Sequence, residues 1–300
     1  MPDGVSEILR FVEGWGRRAY PVRWSLRDAI TYAVAAGADA HNGRALVWES
    51  APGFGTLATF ATRFAHGALL DFAAGTQDAG LPSFARSNRV RVHRPLPADC
   101  DDAVASATLG VAAHTGGRLV LRLGVGTTAG GEPIADSSLD VHFRLPGTRG
   151  AQRPPSPARD GGEDDGGWTV EARETVRPYQ AAVFRTLLGP TAGGRMRDAM
   201  HIDPAESRRL GLPAPALPGE VTLGIVARLA VQNSALLGAG ELRGAEVAYL
   251  RPVSDADRLV IGFAPAGGGT VRTRAVNGDG RVALRGELHF HPDSARWGTP

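Results

Sequence analysis

A histidine flanked by acids carries the clearest proton-transfer chemistry in this sequence. Residues 195–224 read RMRDAMHIDPAESRRLGLPAPALPGEVTLG, with Asp198 three residues before His201 and Asp203 two residues after it. A histidine gains or loses a proton near neutral pH, and a nearby carboxylate can share that task. Since positions three apart can share one helix face, the spacing indicates Asp198 and His201 as a candidate acid–base pair. Asp203 precedes Pro204 and is predicted to begin a helix rather than to catalyse.

The elements that must position this segment follow the same order in both halves of the chain. In the first half, Ser25 and Asp28 form a predicted cap for a helix over 24–40, and a second helical stretch covers 54–72. Alternating strands follow: NRVRVHRPLP, DAVASATLGVAAH, GRLVLRLGVGT and SSLDVHFRLPG. The second half again places helices first, and then GAEVAYLRPVS, DRLVIGFAPAGG and a hairpin through NGDG. This order predicts an α+β fold in which an antiparallel sheet wraps a long helix.

A polar, glycine-rich stretch separates the two halves. It reads GTRGAQRPPSPARDGGEDDGG over 147–167 and contains almost no large apolar residue. Such a segment cannot bury enough surface to offset the entropy of ordering it. The sequence therefore predicts an N-terminal half at 1–146, an exposed linker at 147–167 and a C-terminal half at 168–300.

The composition excludes several classes of function. The chain has no lysine, and its 33 basic residues are arginines mixed along the sequence with 31 acids, which argues against a nucleic-acid surface. The single cysteine, Cys100, excludes an internal disulfide and a cysteine-based zinc cluster, and neither a metal nor a cofactor is predicted. No apolar run approaches the ~20 residues of a membrane span, and the N-terminus lacks a signal-peptide pattern. The expectation is a soluble cytoplasmic protein that binds neither nucleic acid nor a membrane.

Taken together, these segments resemble the MaoC-like (R)-specific enoyl-thioester hydratase/dehydratase family over nearly the whole chain. The matching segments are RDAITYAVAAGA, LVWES, FGTLATF and NRVRVHRPLP in the first half, and YQAAVFRTLLG, HIDPAESRRLGLPAPALPGEVTLGIVAR and GAEVAYLRPV in the second. The resemblance implies a double hot-dog fold, in which each of two fused halves wraps an antiparallel sheet around a long helix. It also implies that the second half carries the chemistry and that the first half provides a cavity for a bulky acyl chain.

The resemblance implies a specific set of site residues. In the family, an aspartate and a histidine activate water, and a glycine N–H at the start of the next helix binds the thioester oxygen. Here His201 matches the histidine, and Gly219, preceded by Pro218, matches the glycine. Met196 stands at the aspartate position, five residues before His201, and Asp198 stands where the family has asparagine.

Two alternatives for the missing acid stay open. In one, a longer loop brings Asp198 into the place of the lost aspartate. In the other, the dyad is dismantled and His201 remains alone, which is favoured because methionine cannot transfer a proton and suits an apolar ligand cavity. Arg228 is a candidate substrate contact, although a salt bridge is the favoured alternative. The predicted site comprises His201, Asp198 and Gly219 as catalytic residues, and Met196, Pro218 and Arg228 in substrate binding.

Three functions follow as expectations. The leading one is a hydro-lyase acting on a bulky acyl thioester or polyketide intermediate carried by coenzyme A or an acyl carrier protein. The second is a cyclase or isomerase of polyketide biosynthesis that holds a free intermediate in a reactive shape without moving water. The third is a non-catalytic subunit that stabilises an active homologue. The resemblance also leads us to expect association, with a homodimer as the simplest form.

Overall fold

The structure is a computed structural model that describes residues 3–76, 78–81, 83–115, 117–145, 167–188 and 197–291. The predicted linker over 147–167 lies, apart from Gly167, outside the described residues. Among the described residues, no helix has the length and apolar character that crossing a bilayer requires.

The described residues form α-helices, β-strands and two 3₁₀ helices. The helices are α1 (Asp3–Glu13), α2 (Leu26–Ala35), α3 (Arg44–Val47), α4 (His66–Thr76), α5 (Tyr179–Thr186), α6 (Pro204–Arg209) and α7 (Gly219–Gln232), and the 3₁₀ helices cover Ala58–Ala65 and Arg197–His201. The strands are β1 (Arg17–Trp24), β2 (Ser83–Val92), β3 (Cys100–Thr115), β4 (Arg118–Ala129), β5 (Glu132–Arg144), β6 (Val170–Thr175), β7 (Glu241–Tyr249), β8 (Arg258–Gly267), β9 (Thr270–Val276) and β10 (Val282–His291).

Helix α2 confirms the predicted cap. The Ser25 hydroxyl accepts a hydrogen bond from the Asp28 N–H at 3.3 Å, and the Asp28 carboxylate accepts one from the Ser25 N–H at 2.8 Å. These reciprocal bonds satisfy N–H groups that the start of a helix leaves without partners. The helix ends at Ala35, earlier than predicted, because Gly37 adopts a φ of 84° that favours glycine.

The strand pattern is confirmed in the interior of the sheet and incomplete at its edges. All eight strands from β2 to β5 and from β7 to β10 lie where alternating residues predicted them. The pattern missed β1 and β6, which occupy the two ends of the strand order. Strand β1 contains Pro21 and β6 reads VEARET, and an edge strand tolerates both proline and charge because one side of it needs no ladder partner.

The sheet has ten strands, and its order shows an internal repeat. The strands lie in the order β1-β3-β4-β5-β2-β7-β10-β9-β8-β6, and all neighbouring pairs are antiparallel. Read from the opposite edges, each half has its first, third, fourth, fifth and second strand in the same sequence. The halves join where β2 pairs with β7, with Val90 opposite Ala245. Helix α7 lies buried in this arrangement, since its residues from Val221 to Ala230 are all buried. The prediction of an α+β fold is confirmed.

Arg228 connects α7 to the first half of the chain. Its side chain is 1% exposed and donates from Nε to the Ala36 carbonyl at 2.9 Å and from Nη1 to Gln232 at 3.0 Å. Its Nη2 donates to the carboxylate of Glu174 on β6. The guanidinium is therefore engaged by protein groups from both halves. The favoured salt-bridge alternative for Arg228 is the one the structure contains.

We expect Arg228→Met to lower the free energy of unfolding by about 3–5 kcal/mol, because it leaves the Glu174 carboxylate without its buried partner. Urea denaturation measures this change. Arg209→Met is the matched control: Arg209 also pairs with a glutamate, Glu206, but lies in solvent, so stability should hardly change. Equal effects of the two substitutions would show that the buried pair does not stabilise the junction.

Candidate active site

A cavity of about 960 Å³ lies between the two halves. Its walls come from α4, β2 and β5 of the first half, and from α5, the 3₁₀ helix Arg197–His201 and the start of α7 in the second. The volume lies in the range of sites that bury a small molecule. The apolar side chains that line it include Leu69, Leu70, Phe72, Phe84, Leu139, Val141, Phe184, Leu188, Met200, Leu212, Leu217 and Val253.

His201 lines this cavity with a defined ring orientation. Its Nδ1 lies 2.6 Å from the carbonyl oxygen of Ala216. A carbonyl oxygen only accepts hydrogen bonds, so Nδ1 carries the hydrogen in the neutral ring. The lone pair then resides on Nε2, which is the nitrogen left for a ligand. A backbone carbonyl thus fixes the orientation of the His201 ring.

Local hydrogen bonds hold the segment that carries His201. The Ala216 N–H donates to the Met200 carbonyl at 3.2 Å, and the Ser207 hydroxyl donates to the same carbonyl at 2.7 Å. Asp203 caps α6 by accepting from the Ala205 N–H at 2.8 Å, which confirms the prediction that it begins a helix. Together these bonds join the 3₁₀ helix, α6 and the segment leading to α7.

The structure describes only part of the segment that holds Asp198, the candidate replacement for the acid, and Met196, which stands at the acid's position. Asp198 and His201 both lie on the 3₁₀ helix Arg197–His201, in which positions three apart follow one another along one side. The side chain of Asp198 and the whole of Met196 lie outside the described residues. Their predicted roles therefore stay predictions.

Gly219 and Pro218 line the cavity beside His201. Gly219 is the first residue of α7, and its N–H donates no hydrogen bond to any acceptor in the described part of the chain. The start of a helix carries a partial positive charge and exposed N–H donors. A β-carbon at position 219 would lie 2.9 Å from the nearest ring carbon of Tyr249, so the aromatic ring leaves room only for glycine. Arg228, by contrast, does not contribute to the cavity lining.

Two further polar residues at this end of the cavity escaped prediction from the sequence. Glu220 and Tyr249 both line the cavity, and Glu220 follows Gly219 in the first turn of α7. Tyr32 lies behind them and donates its hydroxyl to the Glu220 carbonyl at 3.2 Å. The only signal for Glu220 in the sequence is an acid in a first helical turn, which usually serves the helix dipole. The only signal for Tyr249 is a strand end.

Burial and charge act together on the two tyrosines. Burial is the main cause that raises the pKa of the Tyr249 hydroxyl well above its ordinary value, and the charge of Glu220 adds to it. The pKa of the Tyr32 hydroxyl is raised in the same direction, again mainly by burial and in part by Glu220. Both phenols therefore stay protonated, and the Glu220 carboxylate lies close enough to affect both.

Arginines form a positive rim at one side of the cavity. Arg86 and Arg251 line the cavity and both donate to the Leu250 carbonyl, at 3.4 and 2.8 Å. Arg118 and Arg144 lie directly opposite each other where β4 pairs with β5. Like charges in such a position are unfavourable. The combined field of these four arginines nevertheless favours an anionic group near the part of the cavity that Arg86 and Arg251 line.

Comparisons with known proteins define the fold. The sequence matches no family model and no curated protein. The structure superposes on a MaoC-like dehydratase from Phytophthora capsici with a TM-score of 0.70 and 20% identity, covering 97% of this chain and 99% of that one. It superposes on HtdX of Mycobacterium tuberculosis with a TM-score of 0.63 and 14% identity, covering 92% and 100%.

The same fold also occurs in a protein named for a different reaction. A 12:0-ACP thioesterase from Umbellularia californica matches with a TM-score of 0.52 and 13% identity, covering 92% of this chain and 97% of that one. The chain therefore has the double hot-dog fold, and specifically the MaoC-like form of it, as the resemblance implied. Because one fold hosts several chemistries, the reaction must be argued from the site.

We expect Gly219→Ala to lower the free energy of unfolding by about 1–3 kcal/mol, because the added methyl group overlaps the Tyr249 ring. Thermal or urea unfolding measures the loss. Gly55→Ala is the control, since a β-carbon there meets no atom within 4 Å. In a Tyr249→Val background the penalty should largely disappear, and a penalty of undiminished size there would contradict the packing explanation.

Burial, together with the positive rim, predicts that His142 resists protonation. Burial, followed by the charges of Arg118 and Arg86, lowers the pKa of His142 from 6.5 to about 4, while Asp140 opposes the shift. The folded state then binds this proton less readily than the unfolded state, so the free energy of unfolding falls as the pH drops from 6.5 towards 4. An NMR titration should place the His142 midpoint near 4. His142→Gln should reduce the fall in stability, and a midpoint at the ordinary value would refute the prediction.

Proposed function

We propose that this protein is a hydratase or dehydratase of acyl thioesters. The observation that carries the proposal is that His201 lines an apolar cavity beside Gly219 with its Nδ1 fixed on the Ala216 carbonyl. This arrangement presents a base at Nε2 and an N–H donor at the start of α7 in one cavity. Proton abstraction next to a thioester carbonyl needs both of these groups.

The chemistry in the dehydration direction follows from these positions. The thioester oxygen of a 3-hydroxyacyl substrate accepts a hydrogen bond from the Gly219 N–H. The start of α7 stabilises the negative charge that develops on this oxygen. Nε2 of His201 removes a proton from the α-carbon. The hydroxyl group on the β-carbon then leaves as water, which requires a second group that donates a proton.

The cavity supports a bulky acyl chain as substrate. Its lining is mostly aliphatic and aromatic and comes from both halves. This fits a long acyl chain or a polyketide intermediate better than a small polar molecule. The arginine rim of Arg86 and Arg251 supports an anionic carrier, and the phosphates of coenzyme A or of a carrier protein's pantetheine arm provide that charge.

A second candidate function is a cyclase or isomerase acting on a polyketide intermediate. The observation that favours it is Met196 at the position of the family's proton-transferring aspartate. In that case the cavity would hold the substrate in a reactive shape, and His201 would provide a single proton transfer or hydrogen bond.

Incubation with 3-hydroxyacyl and 2-enoyl thioesters of N-acetylcysteamine in deuterium oxide tests the proposal. The wild-type protein should interconvert the two and place deuterium on the α-carbon. His201→Ala should reduce the rate at least about 100-fold, because general acid–base groups contribute this much or more. Product formation and deuterium content are measured by mass spectrometry.

His41→Ala is the matched control, because His41 is an exposed histidine beyond the end of α2 and should leave the rate unchanged. If the wild-type protein yields a cyclised or isomerised product and neither adds nor removes water, the second candidate replaces the first. A full rate in the His201→Ala variant would exclude both.

A further inference from the structure

The dehydration chemistry needs a proton donor for the departing hydroxyl group, and the cavity offers a carboxyl group at the right end. Glu220 lines the same cavity as His201 and directly follows Gly219. The Ala216 carbonyl that orients His201 lies four residues before Glu220 in the chain. The base, the N–H donor and the carboxyl group therefore belong to residues that line one cavity.

Glu220 is partly buried at the start of α7. Its side chain lies within electrostatic range of the buried Tyr32 and of the buried hydroxyl of Tyr249. The Tyr249 hydroxyl is itself buried and has no hydrogen bond of normal length to any described residue. Asn88 is a polar side chain near this hydroxyl. A buried polar group without a normal hydrogen bond is uncommon in native proteins, and a polar group of a bound substrate would satisfy it.

From this arrangement we propose that Glu220 is the second catalytic residue, and that it replaces the acid whose family position is occupied by Met196. The proposal rests on the proposed function. It differs from both alternatives for Asp198, since the acid comes from the first turn of α7 and not from the segment before His201. Glu220 follows Gly219 in the sequence, whereas the segment that carries His201 precedes Gly219. Both Glu220 and His201 line the same cavity.

The step starts from the protonated form of the Glu220 carboxyl group and the neutral form of His201. Nε2 of His201 takes the proton from the α-carbon, and the electrons of that bond form the new carbon–carbon double bond. The bond between the β-carbon and its oxygen breaks, and the departing oxygen takes the proton of the Glu220 carboxyl group and leaves as water. The imidazolium then returns its proton to the Glu220 carboxylate through water, which restores both groups.

A change of leaving group isolates the role of Glu220. Fluoride leaves without being protonated, whereas hydroxide does not leave readily unless it is. We therefore compare a 3-hydroxyacyl with a 3-fluoroacyl thioester of N-acetylcysteamine. Glu220→Gln should lose at least about 100-fold in water elimination and keep the wild-type rate of fluoride release, because only the first needs a general acid. His201→Ala should lose both reactions.

The controls separate a catalytic role from a structural one. Glu206→Gln changes a partly exposed glutamate on α6 that does not line the cavity, and this variant should match the wild type with both substrates. Glu220→Asp keeps a carboxyl group and should recover part of the water elimination, and thermal unfolding checks that each variant is folded. Equal loss of both eliminations in Glu220→Gln, or no loss in either, overturns the assignment of Glu220. If the wild-type protein eliminates neither leaving group, the proposed function itself fails.

Discussion

The complete burial of α7 is the constraint on which the rest of this structure depends. Its residues from Val221 to Ala230 are all buried, so no side of this stretch faces water. A helix with no wet face must satisfy every polar group that it carries inside the protein. Arg228 is the costly member, and Glu174 and the Ala36 carbonyl satisfy it from the two halves. The same interaction that stabilises the helix therefore fixes the relative position of the halves, and with it the cavity between them.

The position of α7 also determines what its first turn can do. The Tyr249 ring occupies the space of a β-carbon at Gly219, the first residue of α7, so this position requires glycine. Gly219 lines the cavity. The N–H groups and the partial positive charge of the helix start therefore face the cavity. The same residue, Gly219, therefore meets the packing requirement of the Tyr249 ring and lines the cavity with its N–H group.

Among the described residues, a backbone carbonyl holds the ring of His201. A carboxylate is not needed to orient His201, because the Ala216 carbonyl performs this at 2.6 Å. A carbonyl oxygen sets the tautomer of the ring but cannot itself transfer a proton. The arginines Arg86 and Arg251 and the apolar side chains line other parts of the same cavity.

The sequence by itself determined the periodic elements of this protein. Ser25 and Asp28 cap α2 through contacts three residues apart, and the interior strands follow from a two-residue alternation, so local pattern was sufficient for both. It also singled out His201 and Gly219, which the fold brings to one cavity wall. Only the tertiary structure decided the edge strands, the inward salt bridge of Arg228 and the presence of Glu220 in the cavity. The reason is physical: these depend on contacts between residues far apart in the chain, and no local spacing encodes which side of an element meets a distant partner.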